Sequence, residues 1–301
     1  MKTAIGTLGG LLAVILSSSA AASPPSSTDI ARCASVGPPS TSLSGAETRI
    51  YRTIGQRELR LHLFRPANAL AERPAVLMFY GGGFVGGDVA HLARQAQRFA
   101  DRGYVAALAD YRVYCRDGTF PGTGVDDAAA ALSWLRDHSR ELGINRRKIV
   151  LAGGSAGGLL AAAAALKQPQ SARPVALVLF NPALDLTDNR LTQTLPDAVR
   201  SNPALSEAAL RTVSPSTMPL KGLPPTIIFH GTADTTVPIA TVDAFCDKAD
   251  AAGRVCRIER YVGLGHSFYQ RPDIVQPLGI SPLDDTLAKA FAFLGPLVGE
   301  Q

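Results

Sequence analysis

The chain is short of charge, of sulfur and of long apolar runs. Only 18% of its 301 residues are charged, against 46% hydrophobic. That balance excludes an intrinsically disordered chain, which needs low hydrophobicity and high net charge. Basic residues outnumber acidic ones by enough to give a net charge of +5, but they are scattered along the chain. No run of Lys and Arg forms a nucleic-acid stripe, so no nucleic-acid partner is expected. The Gly and Pro content is too low and too aperiodic for a fibrous chain. Four cysteines occur, none in a Cys-x-x-Cys or Cys/His spacing, so no metal site is expected, and the chemistry read below implies no cofactor. The length sits near the upper limit of a single core, roughly 250–300 residues, which favours one large domain.

The N-terminus is specific. Lys2, an apolar stretch from Ala4 to Leu16, and small residues from Ser17 to Ala22 follow the order of a secretory signal peptide. The apolar run is too short to span a bilayer, about 13 residues against roughly 20. Residues 1–22 are therefore expected to be a signal peptide cleaved after Ala22, giving a secreted or periplasmic protein with no stable membrane insertion. Residues 23–45 form a Ser/Pro-rich lead-in, and 46–301 the folded domain. An even cysteine count in an exported chain predicts two disulfides. Cys246 on a predicted helix and Cys256 opening the next strand flank a tight turn, which pairs them and leaves Cys33 for Cys115.

Short apolar strands alternate with helices from residue 48 to 297. The strands are expected at 48–53, 59–64, 75–80, 104–109, 149–152, 176–180, 226–229 and 257–262. Helices are expected at 89–102, 126–142, 153–167, 239–252 and 286–297. That alternation predicts an α/β fold with a mostly parallel sheet of about eight strands, covered on both faces and mixed at its early hairpin. The interval of about 184–222 is long for a helix–strand connection and predicts a short lid insertion beside the site.

Chemistry concentrates at the predicted C-terminal ends of the strands. Gly153-Gly154-Ser155-Ala156-Gly157 stands between a strand and a helix, the setting in which Gly-x-Ser-x-Gly raises a nucleophilic serine above a sheet. A serine hydroxyl needs a base. Of the five histidines, His62, His91 and His138 lie in the hairpin or on helices, and His230 ends a strand. His266 follows the last strand in Gly265-His266-Ser267 and is the expected base. Asp234, after its own strand, is the acid that would set the tautomer of His266; Asp185 is the rival. The order Ser155, Asp234, His266 is that of the α/β-hydrolase triad. Gly82, Gly83 and the N–H of Ala156 are the expected oxyanion hole. Tyr80, Phe84, Phe268 and Tyr269 are candidate linings of the substrate pocket.

These segments resemble the α/β-hydrolase carboxylesterases of the hormone-sensitive-lipase and acetyl-esterase group. The likeness covers about residues 46–298 through Tyr80-Gly81-Gly82-Gly83-Phe84, Asp110-Tyr111-Arg112, Phe120-Pro121, Asp126-Asp127, Gly153–Gly158, His230–Asp234 and Gly265-His266. It implies an α/β-hydrolase fold and oxyanion donors at Gly82, Gly83 and Ala156. Two positions depart from that group: Tyr80 stands for its usual histidine, and Gly154 for an acidic residue. The departures point toward small secreted esterases, some acting on acetylated or feruloylated polysaccharides. The group's large N-terminal cap is not expected, which argues against a lipase. The implied activity is hydrolysis of short acyl esters, on a small molecule or a polysaccharide.

Two other readings stay open. Gly81 to Gly86 also satisfies Gly-x-Gly-x-x-Gly after a strand, the fingerprint of a nucleotide-dependent oxidoreductase. Asp88, in the first turn beyond it, would repel a pyrophosphate. The third reading is a catalytically silent hydrolase fold used for binding. Oligomeric state has no sequence signal.

Overall fold

A computed structural model of the chain describes residues 31, 33–67, 72–188, 205–274 and 279–299. The expected signal peptide, residues 1–22, lies outside the described residues, as do 189–204 within the expected lid.

Eight strands form one sheet: β1 (Glu47–Ile54), β2 (Arg57–Phe64), β3 (Arg73–Phe79), β4 (Val105–Ala109), β5 (Ile144–Gly154), β6 (Ala176–Phe180), β7 (Thr226–Gly231) and β8 (Cys256–Tyr261). Their spatial order is β1-β2-β4-β3-β5-β6-β7-β8. The β1–β2 and β2–β4 pairings are antiparallel, and every later neighbour is parallel. Sequence explains the difference between centre and edge. β4 and β6 are buried at every position, because central parallel strands are covered on both faces. β1 carries Glu47, Thr48, Arg49, Arg52 and Thr53, buries only Tyr51 and stays partly wet.

Seven helices with α-helical hydrogen bonding are described: α1 (Ala93–Asp101), α2 (Tyr114–Asp117), α3 (Pro121–Asp137), α4 (Ala156–Leu166), α5 (Glu207–Val213), α6 (Ile239–Ala251) and α7 (Pro282–Val298). The crossover from β3 through α1 to β4 runs one way along the sheet; that from β5 through α4 to β6 runs the other. Right-handed crossovers then place α1 and α4 on opposite faces. The C-terminal ends of β3 and β5 therefore flank a crevice at a topological switch point, where such sheets bind ligands. α4 is Ala-rich because it has no wet side: Ala156 to Ala165 are all buried. Gly124 on α3 meets Leu160 closely, which brings α3 down onto it.

Several boundaries moved. The helix expected from Asp126 begins at Pro121, which needs no N–H at a first-turn position, and ends at Asp137. The closing helix begins at Pro282, with Ser281 accepting from the Asp284 N–H as a side-chain cap. α2 was not expected. Both disulfides are present as paired from the sequence, Cys33–Cys115 and Cys246–Cys256, with Cα atoms 5.1 and 5.2 Å apart. No described helix is long and apolar enough to cross a membrane.

Candidate active site

The turn between β5 and α4 is sharp enough to strain its central residue. Ser155 has φ 54° and ψ −120°, a conformation costly for a residue with a Cβ, of order 1–3 kcal/mol. Backbone bonds hold it there. The Ser155 N–H donates to Phe180 O at 2.8 Å, and Ser155 O accepts from Gly158, Leu159 and Ala183. The departing helix also presses against the end of β3: a Cβ at Gly157 would collide with the carbonyl oxygens of Phe79 and Tyr80. The motif glycine is thus a packing requirement that brings the helix N-terminus beside the β3 loop.

Ser155 Oγ lies 3.0 Å from His266 Nε2, and His266 Nδ1 lies 2.7 Å from Asp234 Oδ2. A carboxylate only accepts, so Nδ1 carries the proton and Nε2 is left to accept from the serine. The three side chains come from the ends of β5, β7 and β8, separated by 111 and 32 positions in sequence. Asp234 is fully engaged. Oδ1 accepts from the Thr236 and Val237 N–H groups, both at 2.9 Å, and Oδ2 also accepts from Asn181 Nδ2 at 2.8 Å. Burial pushes this carboxyl up, but the hydrogen bonds from His266 and Val237, with the neighbouring histidines, hold it below the usual aspartate range.

His230 is buried beside this group. Its Nε2 donates to Val237 O at 2.8 Å and lies 3.4 Å from Asp234 Oδ2. Burial lowers its affinity for a proton, so it stays neutral and braces the turn carrying Asp234. The rival acid Asp185 closes a local turn instead, accepting from the Thr187 N–H and Oγ1.

The β3 loop forms the facing wall. Gly82 and Gly83 have φ 143° and 60°, which an L side chain rarely tolerates, and Gly82 O accepts from Val85 and Gly86. None of the hydrogen bonds between described residues uses the N–H of Gly82, Gly83 or Ala156. All three residues line a cleft of about 560 Å³ with Ser155 and His266. Phe84 and Tyr269 line it too.

Two expected linings do not. Tyr80 is buried beneath the loop, stacked on Tyr111 with ring centroids 4.3 Å apart. Its hydroxyl accepts from Arg116 at 3.0 Å and lies 3.2 Å from both Asp110 Oδ1 and Tyr111 O. Phe268 turns inward against Tyr261, while its neighbour Tyr269 faces the cleft. Sequence reasoning missed Asn181 and the cleft residues Ser35, Val36, His91, Ala183, Leu186 and Val237. Asn181 had one faint signal, its place directly after a buried strand, where a polar residue faces the site edge.

The dinucleotide reading fails here. Asp88 caps the turn Val89–Leu92 and accepts from the Ala90 N–H and from Ser40 N and Oγ, so a carboxylate already occupies the position a pyrophosphate requires. Among the described residues no cluster of His, Cys, Asp or Glu could hold a metal.

Comparison with known proteins agrees with this fold. A family model described as the alpha/beta hydrolase fold matches residues 76–270. Esterase 2 of Thermogutta terrifontis, in its apo form, superposes with a TM-score of 0.73 at 34% identity, covering 84% of this chain and 95% of that one. The same esterase bound to propionate gives a TM-score of 0.72 at 34% identity and the same coverage. A probable isoprenylcysteine alpha-carbonyl methylesterase of Arabidopsis thaliana is 26% identical over 238 residues, 71% of this chain. An esterase of Mycobacterium tuberculosis is 36% identical over 84 residues, 28% of this chain. The chain spans 50% of the length of the first of these two relatives and 26% of the second.

Proposed function

The chain belongs to the alpha/beta-hydrolase fold family, and from that footing we propose that it is an exported serine esterase cleaving short acyl esters. The observation that carries the proposal is the unbroken chain from Ser155 Oγ through His266 to Asp234 Oδ2, at 3.0 and 2.7 Å. Ser155 attacks the ester carbonyl while His266 Nε2 takes its proton. Asp234, fixed by Asn181 and two N–H groups, holds the imidazole and stabilises the imidazolium. The tetrahedral oxygen takes up its charge facing the N–H groups of Gly82, Gly83 and Ala156, at the positive end of α4. The intermediate collapses as His266 returns the proton to the leaving alcohol. Water deprotonated by the same nitrogen then releases the acid and restores the serine.

The cleft supports an uncharged substrate. Among its described lining residues there is no Asp, Glu, Lys or Arg, so a charged ester would enter without a counter-charge. The propionate and butyrate complexes of the Thermogutta terrifontis esterase support a short acyl group. Two disulfides fit an oxidising compartment, as a cleaved signal peptide at residues 1–22 would require. An acetylated or feruloylated polysaccharide is one form such a substrate could take outside the cell.

The test is p-nitrophenyl acetate hydrolysis with and without a fluorophosphonate, followed by peptide mapping. The expected result is one adduct on Ser155. Ser155→Ala should lower kcat on the order of 10⁶-fold, as in triads whose members act as a unit. Near-normal turnover in Ser155→Ala, or a folded wild type that neither labels nor hydrolyses any ester, refutes the proposal. The second outcome favours a silent binding fold.

A further inference from the structure

One wall of the cleft comes from outside the hydrolase domain. Ser35 and Val36, in the lead-in, line the same cleft as Ser155 and His266, although 50 residues separate Val36 from the Gly86 it packs on. The contact is close: a Cβ on Gly86 would stand 2.7 Å from Val36 Cγ2 and 3.0 Å from Cγ1.

This strap, residues 33–40, is fastened at both ends and in the middle. At one end Cys33 is bonded to Cys115 on α2, and the Tyr114 and Cys115 N–H groups donate to Phe84 O and Val85 O of the β3 loop. At the other end Ser40 N and Oγ each donate to Asp88 at 2.7 Å. Between them Arg116 Nη1 donates to Gly37 O at 3.3 Å and to Gly87 O at 2.9 Å, tying the strap and the loop to one guanidinium. Each fastening reaches the segment from Phe84 to Asp88, directly beyond the glycines that face Ser155. A segment held by this many bonds is more ordered than its Ser/Pro-rich composition requires.

We propose that the strap is a specificity wall: Val36 bounds the part of an uncharged ester that extends past Gly86, and the Cys33–Cys115 bond holds Val36 in place. The proposal rests on the esterase reading above and deepens it. The preferred substrate is then an ester whose group on that side is compact and apolar. Oxidation after export completes the wall, so substrate choice depends on the disulfide as well as on the domain.

The experiment uses the mature full chain, with two p-nitrophenyl or 4-methylumbelliferyl series. One lengthens the acyl group from acetate to octanoate; the other enlarges the alcohol at constant acetate. Wild type, Val36→Ala, Val36→Phe and Cys33→Ser/Cys115→Ser are each quantified by fluorophosphonate titration of Ser155. Removing two methyl groups from an apolar pocket wall should raise kcat/KM for the bulkiest member relative to acetate by about tenfold or more in one series. Val36→Phe should move the ratio the opposite way, and the disulfide variant should follow Val36→Ala. If the disulfide variant does not fold, the two Val36 variants decide the matter. Fully titratable Val36 variants whose ratios match wild type in both series overturn the wall while leaving the esterase intact. Loss of rate on every ester in equal proportion also overturns it, since that is a structural role only. A wild type that neither titrates nor hydrolyses any ester overturns both readings.

Discussion

The residue before Ser155 offers a quantitative test of how the turn from β5 into α4 is packed. Gly154 ends β5 and has no positive φ, so the backbone would accept a side chain there. The space would not. A Cβ at Gly154 would collide with the Tyr269 hydroxyl and stand 2.7 Å from Tyr269 Cζ. Tyr269 cannot yield easily: it is 1% exposed and stacks on Phe180 with ring centroids 4.7 Å apart. Gly154→Ala therefore overpacks the site, a change that costs about 1–3 kcal/mol. For a domain of about 255 residues, an unfolding entropy near 2.1 cal/mol/K per residue converts that to a Tm lower by about 2–6 °C. Relief of the strain would push Tyr269 into the cleft beside Ser155, and a displacement near 1 Å lowers kcat/KM on the order of 10²-fold. A double-mutant cycle isolates the contact. Tyr269→Ala alone removes a buried ring and destabilises by about 3–5 kcal/mol. In that background Gly154→Ala should cost nothing further, because the atoms it strikes are gone. Denaturant unfolding of the four proteins measures the coupling. A Gly154→Ala penalty of equal size with and without the Tyr269 ring would refute the packing argument.

Two further predictions concern stability. In the chain-entropy model, removing Cys33–Cys115, with its sequence separation of 82, costs about 4.5 kcal/mol, and removing Cys246–Cys256, with a separation of 10, costs about 2.7 kcal/mol. Urea unfolding of the two double-serine variants should rank them in that order; the reverse order would show that the strap is already loose in the oxidised protein. The acid side of the stability profile should fall in two stages. His230 is held neutral by burial, so below the ordinary histidine value of about 6.5 the unfolded chain binds a proton that the folded chain refuses, and stability drops with pH. Asp234, held low, contributes its full stabilisation above about 3.9 and loses it as pH falls through its folded value. Tm measured from pH 8 to 3 should show both stages, and His230→Gln should shrink only the upper one.

The legible parts of this protein were those set by short-range chemistry. A glycine turn after an apolar strand, a Gly-His pair after another, and an aspartate three residues past a His-Gly strand end each announce a position on the same sheet edge. The parallel topology then brings Ser155, Asp234 and His266 together without any information about individual contacts. The paired cysteines were legible for a similar reason, since Cys246 and Cys256 flank one tight turn and only two others remained. The cleft walls were not. Phe268 and Tyr269 are adjacent in sequence, yet the turn at Phe268–Gln270 sends one ring into the core and the other to the cleft. Val36 was invisible because nothing near it in sequence signals a partner at Gly86.

The two departures from the hormone-sensitive-lipase pattern show why such positions resist reading one at a time. Tyr80 in place of a histidine looked like a change in the pocket. In the fold it is a change in the floor beneath the Gly82–Gly83 loop, where its hydroxyl meets Arg116 and the buried Asp110, and Arg57 holds that carboxylate at 2.7 Å. Burial still pushes the Asp110 carboxyl upward despite that arginine. Arg116 then reaches from the same hydroxyl to the strap at Gly37. Gly154 looked like the loss of an acid. In the fold it is the room that Tyr269 requires, and Tyr269 in turn lines the cleft. Each departure is therefore half of a pair whose other half lies far away in sequence, and neither pair belongs to the hydrogen-bonded chain from Ser155 to Asp234. That division accounts for a Ser155–His266–Asp234 geometry legible from short motifs and for cleft walls that are not.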